Sequence, residues 1–502
     1  MQFLRSRPAA RWCRWLAVAL FVAGMRLGAG PAPAPAAPNV LFILCDDLGI
    51  HDLHCYGRAD HHTPNLDRLA AAGMRFTAAY CAQPICSPSR AALLTGRAPA
   101  RLGLTTYLPG RPNLVSQKVL QAEIETQVPL REKMWPRYFQ AAGYVCGAFG
   151  KWHVGGAGFG PLEHGFASYH PGAAVTVPSA TEGGKGEYGL TTAAEQFMTA
   201  YRGRPWVAYL AHNSPHLPYA AQSARVAANP DAFEPVYAGV IETLDDTVGR
   251  LLAKLDDLGL TERTLVVFTS DNGGLHVPEG PHPRVTHNGP FRAGKGFLYE
   301  GGLRVPLLAR WPGRIPAGRV TDEPVINTDW LPTLLELAGL PVPPGLDGVS
   351  FAPLLTGRGG PAPRRLFWHF PHYNNQGGRP GGAVRDGAWK LVEYYDTDEV
   401  ELYDLAHDPG ETRNRAATEP VRTAELRAAL AGWRGAVGAR GNRPNPQWDP
   451  AWFARLYREV DPGRFAPATA GTDEWNRIWN WRRLMDTVPP VRLPDGRPDA
   501  PR

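Results

Sequence analysis

Lysine is scarce in this 502-residue chain: of its 53 basic residues, seven are lysines and 46 are arginines. The placement of each lysine is therefore informative. An excess of one charge is lacking too. The formal charge is +6, but residues 1–36 hold five arginines and no acid, so the remainder stands near 6 − 5 = +1. That balance removes the electrostatic basis for binding nucleic acid. No apolar run approaches the ~20 residues that span a bilayer. No internal repeat is present, which excludes a solenoid or propeller. Hydrophobic content of 44% with 20% charged residues is ordinary for a globular protein and excludes a fibre or global disorder.

The N-terminus has the pattern of an export signal. Arg5, Arg7, Arg11 and Arg14 precede an apolar run from Leu16 to Met25, and a small-residue stretch from Gly28 to Pro38 offers sites such as Ala34-Pro35-Ala36. We read residues 1–36 as a cleaved signal peptide, giving an exported, periplasmic or secreted protein with no stable membrane insertion afterwards. No cysteine directly follows the apolar run, which argues against a lipoprotein, and no adjacent arginine pair precedes it. Cys13 leaves with this segment. Cys45, Cys55, Cys81, Cys86 and Cys146 remain, an odd number whose pairing the sequence leaves open.

The rest of the chain has room for one large α/β domain and a smaller one. Asn39–Cys45, Tyr144–Phe149, Pro205–Ala211, Thr264–Ser270 and Leu303–Ala309 read as buried strands. Helical patterns fall at Thr63–Gly73, Ser87–Thr95, Tyr237–Leu258 and Asp329–Leu337. This alternation predicts an α/β fold, a large mixed and mostly parallel sheet between helices. The Gly/Pro/Arg-rich segment 357–365 marks a boundary. Beyond it Ala383–Tyr395 and Val400–Leu405 read as short turn-linked strands and Val421–Val437 as a helix. The expected layout is a catalytic domain over 37–360, a smaller C-terminal α+β subdomain over 361–441, and a Trp/Pro/Arg-rich extension over 442–502 packed on the body.

Chemistry concentrates around one pentapeptide, Cys86-Ser87-Pro88-Ser89-Arg90. A thiol at a helix N-terminus is expected to have a lowered pKa and could itself be nucleophilic. With Thr63-Pro64-Asn65-Leu66-Asp67 upstream and Leu94-Thr95-Gly96-Arg97 downstream, however, the segment resembles the signature of the type I sulfatases of the alkaline phosphatase superfamily. The resemblance runs from about Asn39 to Leu405. It implies that Cys86 is oxidised to formylglycine before folding, by a separate formylglycine-generating maturation enzyme. It also implies hydrolysis of sulfate esters.

Asp46 and Asp47 follow one apolar strand, and Asp271 and Asn272 follow another. Carboxyl ends of parallel strands are where ligands bind, and four oxygen-bearing side chains there suit a hard cation. Calcium fits best, with magnesium as an alternative. By the resemblance, an oxygen of the modified Cys86 completes this site. Lys151 and His153 lie in Gly150-Lys151-Trp152-His153, His216 in His212-Asn213-Ser214-Pro215-His216, and Lys295 in Gly294-Lys295-Gly296; each matches a sulfatase block. Arg90, Lys151 and Lys295 would supply fixed positive charge, His216 with Lys295 would protonate the leaving alcohol, and His153 would act as base. A loop containing His372, Asn374 and Arg379 resembles a segment of sulfatases acting on sulfated sugars, so a sulfated carbohydrate is the expected substrate. His282, His287 and Asn288 are further candidates to line the pocket. A small-molecule arylsulfatase and a phosphonate or phosphodiester hydrolase are the alternatives. A binding-only protein would have no need of all ten site residues.

Overall fold

The computed structural model describes residues 37–173, 175–280, 284 and 286–500; the expected signal peptide and the candidate pocket residue His282 lie outside them. From Ala37 onward the chain forms one compact unit. Its centre is an eight-stranded sheet. In chain order the strands are β1 (Asn39–Asp46), β2 (Met74–Phe76), β3 (Val145–Gly150), β4 (Ser168–His170), β5 (Trp206–Pro215), β6 (Thr264–Ser270), β7 (Leu307–Arg310) and β8 (Arg319–Thr321). In space they run β8-β2-β7-β6-β1-β5-β3-β4. The five strands from β6 to β4 are parallel, while β7 runs antiparallel to both of its neighbours.

Strand β1 shows why the sheet is central. Its side chains alternate between two apolar cores: Val40, Phe42 and Leu44 enter one, and Leu41, Ile43 and Cys45 the other. Both faces must therefore be covered, as the continuous run NVLFILC requires. Helices α1 (Pro64–Ala71), α3 (Glu187–Ala200) and α4 (Pro235–Asp257) cover one face. Helices α2 (Cys86–Thr95) and α5 (Trp330–Leu337) cover the other.

A second sheet of four antiparallel strands, β9 (Leu366–Phe370), β10 (Gly381–Asp386), β11 (Trp389–Tyr394) and β12 (Val400–Asp404), carries helix α6 (Pro420–Ala436), whose Leu426 and Leu430 pack with Val384, Leu391 and Leu402 of the sheet. A buried ion cluster joins it to the main body. Lys390 on β11 lies 2.9 Å from Glu300 and 2.8 Å from Glu411, all three side chains being inaccessible. The extension adds helices α7 (Pro450–Tyr457) and α8 (Thr472–Met485), whose Phe453, Leu456 and Trp481 pack with Leu114 and Tyr373 of the body. Its tryptophans are not equally covered: Trp481 is buried, whereas Trp448 is exposed. All five described cysteines are free. No helix among the described residues is long and apolar enough to cross a membrane.

Candidate active site

Four adjacent parallel strands deliver the site. β1 ends at Asp46 with Asp47 following, β6 runs into Asp271-Asn272, β5 into His216 and β3 into Lys151. Neighbouring strands are ~4.8 Å apart, so residues just past their carboxyl ends converge. Helix α2 approaches the same point with Cys86 as its first residue. Ile85 at its N-cap offers no side-chain hydrogen bond, so the first-turn amides keep their partial positive charge facing the site. All ten residues of α2 are buried.

Asp46, Asp47, Asp271 and Asn272 are each at most 3% exposed. Ligand atoms of Asp46, Asp47, Cys86 and His216 all lie within 4.8 Å of one another. Asn272 donates Nδ2 to Asp47 Oδ1 at 2.8 Å, which leaves its Oδ1 buried with no partner. An orphaned buried acceptor is costly unless something binds it. Three carboxylates and a free amide oxygen are a donor set suited to a hard cation such as calcium.

Three cations face these acids. Lys151 Nζ lies 2.6 Å from Asp46 Oδ2, and Lys295 Nζ 2.6 Å from Asp47 Oδ2. Arg90 donates Nε to Asp271 Oδ2 at 2.7 Å and Nη1 to the Lys151 carbonyl at 3.0 Å, with Nη2 3.6 Å from Asp46. Burial alone would raise the pKa of Asp46, but Lys151, His216 and Arg90 outweigh it and hold the carboxyl well below its ordinary value. At Asp271 burial prevails over Arg90 and raises the pKa to about 7.

The Cys86 thiol lies 3.4 Å from Asp46 Oδ1 and 3.8 Å from Asp47 Oδ1. The lowered thiol pKa expected from the helix terminus is not met. Burial pushes it well above the ordinary value, and Lys151 and Lys295 only partly offset this.

The two histidines differ in what they offer. His153 directs Nε2 at the Leu108 carbonyl, 2.9 Å away, so that nitrogen carries the proton. Burial, reinforced by Lys151, lowers the ring's pKa to about 3, which leaves buried Nδ1 as a free lone pair. His216 directs Nδ1 at the Leu217 carbonyl (2.7 Å) and Nε2 toward Asp47 Oδ2 (3.6 Å). Burial, then Lys295, lowers its pKa, which makes the protonated ring a stronger acid. Asp47 and His153 both hold left-handed backbone, at φ 67° and 59°, a strained geometry for non-glycine residues. Gly150 before Lys151 has no alternative: a Cβ there would sit 1.9 Å from the Ala211 carbonyl oxygen.

The structure thus brings Asp46, Asp47, Cys86, Arg90, Lys151, His153, His216, Asp271, Asn272 and Lys295 together. It gives the three loop residues other partners. His372 is 1% exposed and pairs Nε2 with Thr105 Oγ1 at 2.8 Å. Asn374 donates to the Gly296 carbonyl at 2.6 Å, bracing the turn after Lys295. Arg379 donates to Glu399 at 2.7 Å and stacks on Tyr394. Asn288 likewise bonds the Gly274 and Ala293 carbonyls. Residues left without a role by the sequence reading are Lys185, Glu187 and His212, which brace the end of β5. The sequence around Lys185, a lone lysine between glycines, reads as a turn.

The family profile described as Sulfatase matches residues 38–340, and one described as N-sulphoglucosamine sulphohydrolase, C-terminal, matches 291–432. The chain belongs to the sulfatase family. It is 37% identical to the dog N-acetylgalactosamine-6-sulfatase over 385 residues, 70% of this chain and 71% of that protein. Human arylsulfatase A is 36% identical over 469 residues, 81% of this sulfatase and 88% of the relative. Among solved structures, Ps i-CgsB in complex with k-i-k-neocarrahexaose superposes with a TM-score of 0.69 at 26% identity, covering 87% of this chain and 99% of that one. This sulfatase is a sulfuric ester hydrolase with a fold shared across that family.

Proposed function

We propose that this sulfatase removes sulfate from a sulfated carbohydrate, using a formylglycine made from Cys86 and a calcium ion held by Asp46, Asp47, Asp271 and Asn272. The observation that carries the reading is the orphaned Asn272 Oδ1 beside three buried carboxylates, with Cys86 at the start of a buried helix directly facing them. The dog relative and Ps i-CgsB, by their names and bound sugar, support a carbohydrate ester. Calcium would polarise the sulfate oxygens, while formylglycine, hydrated, offers one hydroxyl to sulfur and a second whose deprotonation expels sulfate.

The chain's own residues supply the rest. Lys151 and Lys295 place ammonium groups where negative charge collects on the ester, in a site shielded from water. Arg90 fixes Asp271 and the Lys151 backbone at once, so the metal and charge groups keep one geometry. His153 takes a proton at Nδ1, because Nε2 is already tied to Leu108. His216 Nε2 and Lys295 Nζ flank Asp47 and can hand a proton to the departing alkoxide oxygen. Conversion requires a maturation enzyme, and an exported location accords with the N-terminal pattern.

The test is turnover of matched substrates by purified mature enzyme: sulfated sugars, an aryl sulfate and an aryl phosphonate or phosphodiester. Preference for sulfated sugars supports the reading. Faster turnover of the phosphorus esters would overturn it.

A further inference from the structure

A lysine outside the converging set lies against the carbonyl of His216. Lys185 is 2% exposed and forms no ion pair among the described residues. Its ammonium donates to two backbone carbonyls, of Asn213 at 3.2 Å and of His216. Burial lowers its pKa to about 8, and the carboxylates of Asp46 and Glu187, close by but not bonded to it, only partly offset this. The backbone is strained as well. Lys185 has φ 54° in a run of left-handed residues with Gly183, Gly184 and Gly186. Its amide is tied to Thr176 Oγ1 at 2.6 Å, which fixes the loop.

Two residues on, Glu187 completes the brace. One carboxylate oxygen accepts the amides of Asn213 (3.0 Å) and Ser214 (2.9 Å), and the other pairs with His212 Nδ1. Glu187 thus takes the N–H groups of the segment and Lys185 its carbonyls. Every bond of this clamp ends on 212–216, the stretch whose last residue is His216. Among the described residues, the His216 side chain is oriented by the Leu217 carbonyl and by Asp47.

We propose that Lys185 is a positioning residue that holds the His216 backbone so that Nε2 meets the leaving oxygen. The assignment rests on the reading of His216 as the leaving-group acid. A displacement near 1 Å at such a group can lower the rate about 100-fold. The loss must fall on substrates that need the proton. A nitrophenolate leaves without one, whereas a sugar alkoxide does not.

The experiment compares kcat/KM for a sugar 6-sulfate and 4-nitrophenyl sulfate in Lys185→Met, His216→Ala and the double variant, each converted and loaded with calcium. His216→Ala should lose at least about 10-fold more on the sugar ester than on the aryl ester. Lys185→Met should show the same selective loss, and adding it to His216→Ala should cost no more than about 2-fold further. Should Lys185→Met not fold, Lys185→Gln, which keeps an N–H donor, should show a smaller loss with the same selectivity. Equal losses on both esters from the Lys185 variants, or additive losses in the double variant, overturn the positioning role while leaving His216 as the acid. Equal losses from His216→Ala overturn that reading and this assignment with it.

Discussion

The thiol of Cys86 sits 3.4 Å from Asp46 with burial holding it protonated, so the unmodified side chain is poorly suited to attack sulfur. Serine at 86 could attack, but it lacks the second hydroxyl and has no internal route to release sulfate. Cys86→Ser should fold, bind calcium and lose at least about 1,000-fold in turnover. Peptide mass spectrometry of active enzyme should show Cys86 as the aldehyde, its fraction tracking activity across preparations. Full activity with an intact thiol would sink the mechanism. The same neighbourhood predicts metal dependence. Chelation should abolish turnover and lower the melting temperature, and calcium should restore both. At 100 times its dissociation constant a ligand adds about 2.7 kcal/mol to stability. Asp271→Ala should show neither restoration, because it removes one cation ligand and the acceptor of the Arg90 Nε hydrogen bond.

At the scale of elements, the loop from His372 to Arg379 is built inward. Asn374 holds the Gly296 carbonyl, and Gly296 with φ 85° leaves no room for a Cβ beside that amide. Asn374→Ala should therefore lower turnover of sugar and aryl sulfates alike, by about 10-fold, through movement of Lys295. A loss confined to sugar esters would make the loop a substrate contact instead. The strands that carry the site were legible because fully buried parallel strands read as unbroken apolar runs, each ending in an acid, lysine or histidine. The strand expected over Leu303–Ala309 runs over Leu307–Arg310 instead. Leu303 closes a short helical turn, Glu300–Leu303, and the strand begins only at Leu307, because Gly301 and Gly302 lie close against the 292–297 backbone. Lys185 and Glu187 could not be read at all. Their partners lie 25 or more residues away, and nothing in a glycine-rich turn announces which carbonyl a lysine will reach.

Over the whole molecule, histidines packed as neutral groups set an acid limit. His276 and His369 have pKa values lowered to about 4, and His372 to about 3, each by burial. Their stabilisation is present above the unfolded value of about 6.5 and is lost as pH falls toward the folded values, by up to about 1.4 kcal/mol per pH unit for each. Glu411 runs the other way. Burial, against Lys390, raises it to about 7, so its contribution is present below the unfolded value and lost as pH rises through the folded one. The check is therefore a comparison of variants. His276→Gln keeps a donor for the Pro462 carbonyl but cannot titrate. Its denaturant midpoint should fall less between pH 7 and pH 5 than that of the parent; identical slopes would remove His276 from the account.

The cluster of Lys390, Glu300 and Glu411 also has a consequence in time. Glu300 cannot complete its buried ion cluster until β11 and the segment beyond it have left the ribosome, because its partner Lys390 lies 90 residues downstream. Cys86 emerges far earlier. At 5–20 residues per second, roughly 15–60 s separate the two events. In the finished fold Cys86 is 2% exposed. On the proposed chemistry, conversion belongs to that interval, when the pentapeptide is still an open strand of nascent chain. Enzyme folded to completion with its thiol intact should resist later conversion, and should accept it after unfolding, as read by the mass of the peptide carrying residue 86.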